Sequence, residues 1–138
     1  MRVPLALYGV VLFLCLVPIL SAQDAAKVDP KHYTVMSENE QVRILKVHYG
    51  PHEKSVMHSH PDSVAVFLTD GTIHFQIPGG KTVDEKVKAG GARYVPAQTH
   101  FPENQTDKPF EVIVIELKSK GGAAKVASAK PVAITDGK

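Results

Sequence analysis

The sequence predicts a single all-β domain whose strands close into a barrel or sandwich. Three observations carry that expectation. Short runs rich in Val, Ile, Phe and Tyr are separated by turn residues at close spacing. No segment keeps a helical period. The length of 138 residues, with 43% hydrophobic and 22% charged, suits one core and leaves no room for a second of ordinary size.

At the N-terminus, Arg2 precedes a nearly uncharged apolar stretch that reaches Leu20, with Ser21 and Ala22 behind it. This is the pattern of a secretory signal peptide spanning residues 1–22, which would send the chain to the periplasm or outside the cell and leave no membrane attachment after cleavage. The alternative is an uncleaved N-terminal membrane anchor, because the apolar stretch almost reaches spanning length. Cys15 is the one cysteine and lies in this segment. The mature chain would then have neither a disulfide nor a cysteine nucleophile, leaving its chemistry to histidines and carboxylates. Residues 24–30 read as a polar lead-in and residues 31–118 as the folded domain. Residues 119–138 are rich in Ala, Lys and Gly without an apolar period, and read as a disordered tail.

Within the domain, strands are expected over residues 42–49, 56–60, 64–69, 72–77, 82–88, 93–96 and 111–118. Asp70-Gly71 predicts a two-residue hairpin loop of the primed kind. That register would oppose Leu68 to Ile73, Phe67 to His74, Val66 to Phe75 and Val64 to Ile77. Opposed residues share a face, so Val64, Val66 and Phe75 are expected to line the interior while His74 points away.

One chemical constellation stands out. His58 and His60 are two apart on an extended segment, so both imidazoles project from one face, as a chelating pair requires. His100 follows in a later stretch, and a closed arrangement of strands could bring it to the pair. The net charge of +2, from 16 basic and 14 acidic residues without a basic stripe, argues against nucleic acid as a partner. No serine has a histidine and an acid arranged as in a hydrolase, and Asp84 and Glu85 point to opposite faces of a strand.

The two histidine stretches resemble the paired motifs of the cupin superfamily. The first maps onto Gly50, His58, His60, Val64 and Gly71, and the second onto Gly90, Pro96, Gln98, His100 and Asn104. Gly50 lies two residues further from His58 than is usual, Gln98 replaces a glycine, and Val64 stands where the family carries a metal-binding glutamate. The resemblance covers most of residues 41–117 and is to small, exported, single-domain members. It implies a jelly-roll β-barrel in which His58, His60 and His100 hold one divalent ion, with iron, zinc, manganese, nickel and copper all compatible with imidazole nitrogens. Gln98, on the same face as His100, would support the site or act as a weak fourth ligand, with Glu103 a lesser candidate. The resemblance further implies a small-molecule ligand and allows a homodimer formed through edge strands.

Two functional classes stay open at this point. One is an enzyme, a small-molecule dioxygenase or isomerase; the other is a jelly-roll module that holds a metal or ligand and catalyses nothing. His48 and His52 read as structural or solvated, and His32 as a surface residue of the lead-in. Asn104 is either a glycosylation acceptor in "NQT" or a structural turn residue.

Overall fold

The computed structural model describes residues 23–118. The expected signal peptide and the expected tail therefore lie outside the described residues. Among the described residues, nine strands follow one short helical turn, α1 (Ala25–Val28): β1 (Tyr33–Glu38), β2 (Val42–Tyr49), β3 (His58–His60), β4 (Ser63–Phe67), β5 (Gly71–Ile77), β6 (Lys81–Val87), β7 (Ala92–Val95), β8 (Gln98–Asn104) and β9 (Phe110–Leu117). They form two antiparallel sheets, ordered β1-β2-β9-β4-β7 and β3-β8-β5-β6. The fold is the all-β jelly roll that the sequence predicts.

The core lies between the sheets. Alternation along each strand turns one set of side chains inward: Leu45, Val47 and Tyr49 from β2, Ala65 and Phe67 from β4, Ile73 from β5, and Phe110 and Val112 from β9 are all buried. Burying such side chains contributes roughly 1.5–3 kcal/mol for each large one. At the other end of the polarity scale, β6 is largely exposed and forms the edge of the smaller sheet.

The Asp70-Gly71 hairpin does not form. β4 lies in the larger sheet between β9 and β7, whereas β5 lies in the smaller one between β8 and β6. Residues 70–71 carry the chain from one sheet to the other. Their neighbours spend their hydrogen bonds elsewhere: Phe67 N–H donates to the Gly91 carbonyl, Leu68 N–H to the Glu111 carbonyl, and the Asp70 carboxylate accepts from Ala89 N–H. With β4 and β5 unpaired, no hairpin register ties the inward parity of one to that of the other. Ser63, Ala65 and Phe67 face inward on β4, and Val64 and Val66 occupy the opposite face, contrary to expectation. The faces assigned to β5 hold, with Ile73 buried and His74 paired outside to Asp84 at 2.5 Å.

Gly71 is not one of the glycines with positive φ. What it provides is space, since a Cβ at this position would lie 2.6 Å from Phe110 Cδ2. Gly71→Ala is therefore expected to destabilise the chain by about 1–3 kcal/mol through overpacking, read as a lower midpoint of urea unfolding. An unchanged midpoint would show that Phe110 shifts freely.

The lead-in is more ordered than its composition suggests. Asp24 caps α1 by accepting from Lys27 N–H, Ala25 is fully buried, and β1 follows in a stretch that is not among the expected strands although Tyr33, Thr34 and Val35 favour one. β8 is likewise absent from the expected strands, because Pro102 interrupts its pattern and argues against a strand interior. The structure accommodates Pro102 beyond the end of β3, where its carbonyl accepts from Ser55 N–H.

Candidate metal centre

β3 and β8 pair antiparallel with His58 directly opposite His100 and His60 opposite Gln98. This register brings the two distant segments together. His58, His60 and His100 all point inward at 0%, 7% and 6% exposure, while Ser59 between the first two turns outward to Thr99, with 2.7 Å between their hydroxyl oxygens. One ring nitrogen from each of the three lies within 4.8 Å of the other two. Phe75 stacks on His100 with ring centroids 5.0 Å apart and holds that ring in place.

The surrounding partners fix the tautomers. His58 Nδ1–H donates to the Val56 carbonyl at 2.7 Å, so its Nε2 carries a lone pair. Ser55 lies against the same Nδ1 at 3.2 Å and donates its own proton to Asp29 at 2.5 Å. His60 Nδ1–H donates to the Glu116 carboxylate at 2.7 Å, which again leaves Nε2 as the free acceptor. Glu116 is 2% exposed and is held in turn by Arg43 Nε at 2.6 Å, and Arg43 also reaches Asp24 at 2.7 Å. A carboxylate that orients a histidine in this way is the usual support of a metal ligand.

The donor set fits a metal better than it satisfies itself. His58 Nε2 has a single lone pair, yet Tyr33 O–H approaches it at 2.9 Å and His100 Nε2 at 3.1 Å. Meanwhile His100 Nδ1 is buried without a partner. A cation placed among the three Nε2 atoms would accept all three lone pairs at once. The residues present therefore suit a mononuclear ion bound by neutral imidazoles.

Burial, followed by the charge of His60, pushes the His58 pKa down to about 4. Burial, followed by His58 and His60, pushes that of His100 down to about 3. Both are neutral at pH 7, as metal ligands must be. In the unfolded chain each titrates near about 6.5. Below that pH the unfolded chain takes up protons that the folded chain refuses, so stability is full above about pH 6.5 and falls as pH drops towards 4 and then 3. Every tenfold difference in proton affinity between the two states is worth about 1.4 kcal/mol, so the thermal midpoint of the metal-free chain is expected to fall steeply between pH 6.5 and 4. A flat profile there would contradict the burial of these rings.

A cavity of about 480 Å³ opens above the site, with His60 and His100 in its wall. Phe75 lines it as expected. Val64 and Val66 do not; Ser63, Ala65 and Phe67 take their place, a consequence of the reversed faces of β4. Position 64 therefore does not face the site, and the inward neighbours Ser63 and Ala65 offer no carboxylate. Gln98 also lines the cavity but is exposed at its rim, and Glu103, on the alternate face of β8, does not.

Elsewhere, His48 and His52 are outside, paired to Glu111 and Asp107. His32 is buried rather than on the surface, bonded to Asp29 at 2.7 Å and Glu53 at 3.2 Å. Asn104 is fully buried. Its amide donates to the Gly50 and Lys108 carbonyls, and its oxygen accepts from Thr106 twice, so the structural reading holds and a glycan on this nitrogen does not fit.

Sequence reasoning missed Glu116, Arg43, Tyr33, Tyr49 and Asp29. Glu116 had a readable signal, because it shares the inward parity of Val112 and Val114, whereas Glu111, the other acid of the strand, has the opposite parity.

Two antiparallel sheets enclosing a cavity with three buried histidines in one cluster define a small β-barrel protein with a candidate metal centre. Residues 45–116 match the family model described as cupin domain, and the chain belongs to the cupin family. Solved structures agree. The chain is similar to a cupin domain from Bordetella pertussis Tohama I, with 25% identity, a TM-score of 0.60, and coverage of 72% of this chain and 99% of that one. It is also similar in fold to an uncharacterized conserved protein with a double-stranded β-helix domain from Klebsiella pneumoniae, with 20% identity, a TM-score of 0.52, and coverage of 65% and 78%. None of the curated proteins matches the chain.

Proposed function

We propose that this chain is an exported metal-binding cupin in which His58, His60 and His100 hold one divalent ion at the wall of a cavity for a small molecule. The observation that supports this most is the convergence of one ring nitrogen from each of three buried histidines within 4.8 Å of one another, with two of them, those of His58 and His100, crowding on the single His58 lone pair. A divalent ion there would supply Lewis acidity towards a ligand oxygen or, with a redox metal, a centre for dioxygen chemistry. The walls contributed by Phe67, Ile73, Phe75 and Val112 suit a largely apolar ligand. On this reading the protein is a small-molecule dioxygenase or isomerase.

One observation favours a non-catalytic ligand-binding module instead. Among the described residues, the carboxylate lining the cavity is Glu85, and it is paired with Arg93, so none of them offers the ligand space a free carboxylate base. Loading the protein with iron, nickel, zinc or manganese and assaying diketones, thiols and phenolics separates the two: metal-dependent turnover supports the enzyme, and binding without turnover supports the module. Export is tested by N-terminal sequencing of protein recovered from its own host. Cleavage after Ala22 makes Gln23 the first residue, and a retained Met1 supports the anchored alternative.

A further inference from the structure

We propose that Tyr33 supplies the oxygen ligand of this centre, so that the ion is held by three imidazoles and one phenol oxygen. The proposal rests on the three-histidine reading above and adds to it a residue from a different strand.

Among the described residues, the metal-binding group contains histidines alone and no acidic ligand. Glu116 is occupied by His60 and Arg43, and β4 turns Ser63 and Ala65 inward. Tyr33, at the start of β1, fills the gap. Its ring is 4% exposed and lies edge-on to His58, with centroids 4.7 Å apart, and tilted against His60 at 5.5 Å. It also lines the cavity. Tyr33 precedes the segment that matches the family model, residues 45–116, so the family motifs give no sign of it.

The distances fit shared coordination. Two donors each about 2.1 Å from one ion stand about 2.9–3.4 Å apart, from right-angled to tetrahedral geometry. The Tyr33 oxygen is 2.9 Å from His58 Nε2, and His100 Nε2 is 3.1 Å from that same atom. The hydrogen bonding fits as well. Tyr33 O–H now donates to the His58 lone pair, and the Tyr49 hydroxyl, 2.6 Å from the Tyr33 oxygen, can donate to it. An ion that takes the His58 lone pair removes Tyr33's acceptor and leaves the phenol oxygen facing the cation. Coordination then breaks the Tyr33 O–H bond, forms the metal–oxygen bond and releases one proton to the buffer. Tyr49 O–H remains as a donor that stabilises the coordinated oxygen.

The test loads the full chain with ferrous iron in the absence of air and then oxidises it with stoichiometric ferricyanide, each iron giving one electron. A phenol oxygen bound to ferric iron produces a visible charge-transfer band, and resonance Raman excitation within that band shows phenolate ring modes. The wild-type protein is expected to be coloured, with iron confirmed by elemental analysis. Tyr33→Phe keeps the ring, is expected to bind iron more than about a hundredfold more weakly, since a direct ligand matters more than its supports, and loses the band at full iron loading. Tyr49→Phe is expected to keep the band with a shifted maximum. A wild-type chain that holds iron but stays colourless overturns the Tyr33 assignment and leaves the three histidines standing, as does a Tyr33→Phe variant that is fully coloured. A wild-type chain that takes up no iron overturns both. Should Tyr33→Phe fail to fold, Tyr49→Phe decides the matter: phenolate modes retained in that variant support Tyr33, and modes lost with its iron still bound overturn the assignment.

Discussion

Replacing Glu116 with leucine is expected to destabilise the chain by about 3 kcal/mol and to weaken metal binding about ten- to a hundredfold. The two effects have separate causes. Glu116 neutralises the largely buried guanidinium of Arg43, and Asp24 would be left as that group's remaining ion-pair partner. Glu116 also accepts the Nδ1–H of His60, fixing the tautomer and ring orientation that present Nε2 to the site. The double variant Arg43→Leu with Glu116→Leu removes the stranded charge together with the carboxylate. It is expected to recover most of the stability in urea titrations and none of the metal affinity. Equal recovery of both would show that the carboxylate acts only as packing.

Replacing His100 with leucine is expected to move stability and metal affinity in opposite directions. Leucine has a similar volume, and it removes a buried ring nitrogen without a partner and a second claimant on the His58 lone pair. The metal-free chain should hold its stability or gain about 1 kcal/mol. It should also lose part of its acid sensitivity, because one of the two histidines with depressed pKa is gone. Metal affinity, measured by equilibrium dialysis against zinc, should fall by more than about a hundredfold, since a direct ligand matters more than its supports. Destabilisation by several kcal/mol with zinc binding intact would reverse the roles assigned to this residue.

Much of this architecture can be read from the residues, and the failures have identifiable causes. Alternating patterns reveal β2 and β5, and the spacing of His58 and His60 places both on one face, because a strand's period of two is a local property. His100 enters the set through the second motif, and the β3–β8 register shows how it arrives. The register of β4 is lost because Asp70-Gly71 satisfies the local chemistry of a hairpin while the chain changes sheets there, a choice set by long-range pairing with β9 and β7. That single error displaces Val64 and Val66 from the cavity wall. β1 and the lead-in escape a sequence reading because their burial depends on what packs over them. Tyr33, Asp29 and His32 look like ordinary polar or surface residues until β2 and β3 close against them.

The network around His60 joins three separate parts of the chain through Asp24, Arg43 and Glu116. A second network, from Glu53 through His32, Asp29 and Ser55, reaches His58. His60 is thus held from behind directly by the Glu116 carboxylate, whereas His58 is held by the Val56 carbonyl and reaches Asp29 through the Ser55 hydroxyl. No pairing of motifs in sequence announces this arrangement, because Glu116 lies 56 residues from His60 and Asp29 lies 26 residues from Ser55.

The most direct measurement is an anomalous difference map from crystals of the zinc-loaded chain, recorded on both sides of the zinc absorption edge. A single peak about 2.0–2.1 Å from the Nε2 atoms of His58, His60 and His100 is the predicted result. A peak at surface pairs such as His52–Asp107 or His74–Asp84, with the three inward rings free of metal, would contradict the account.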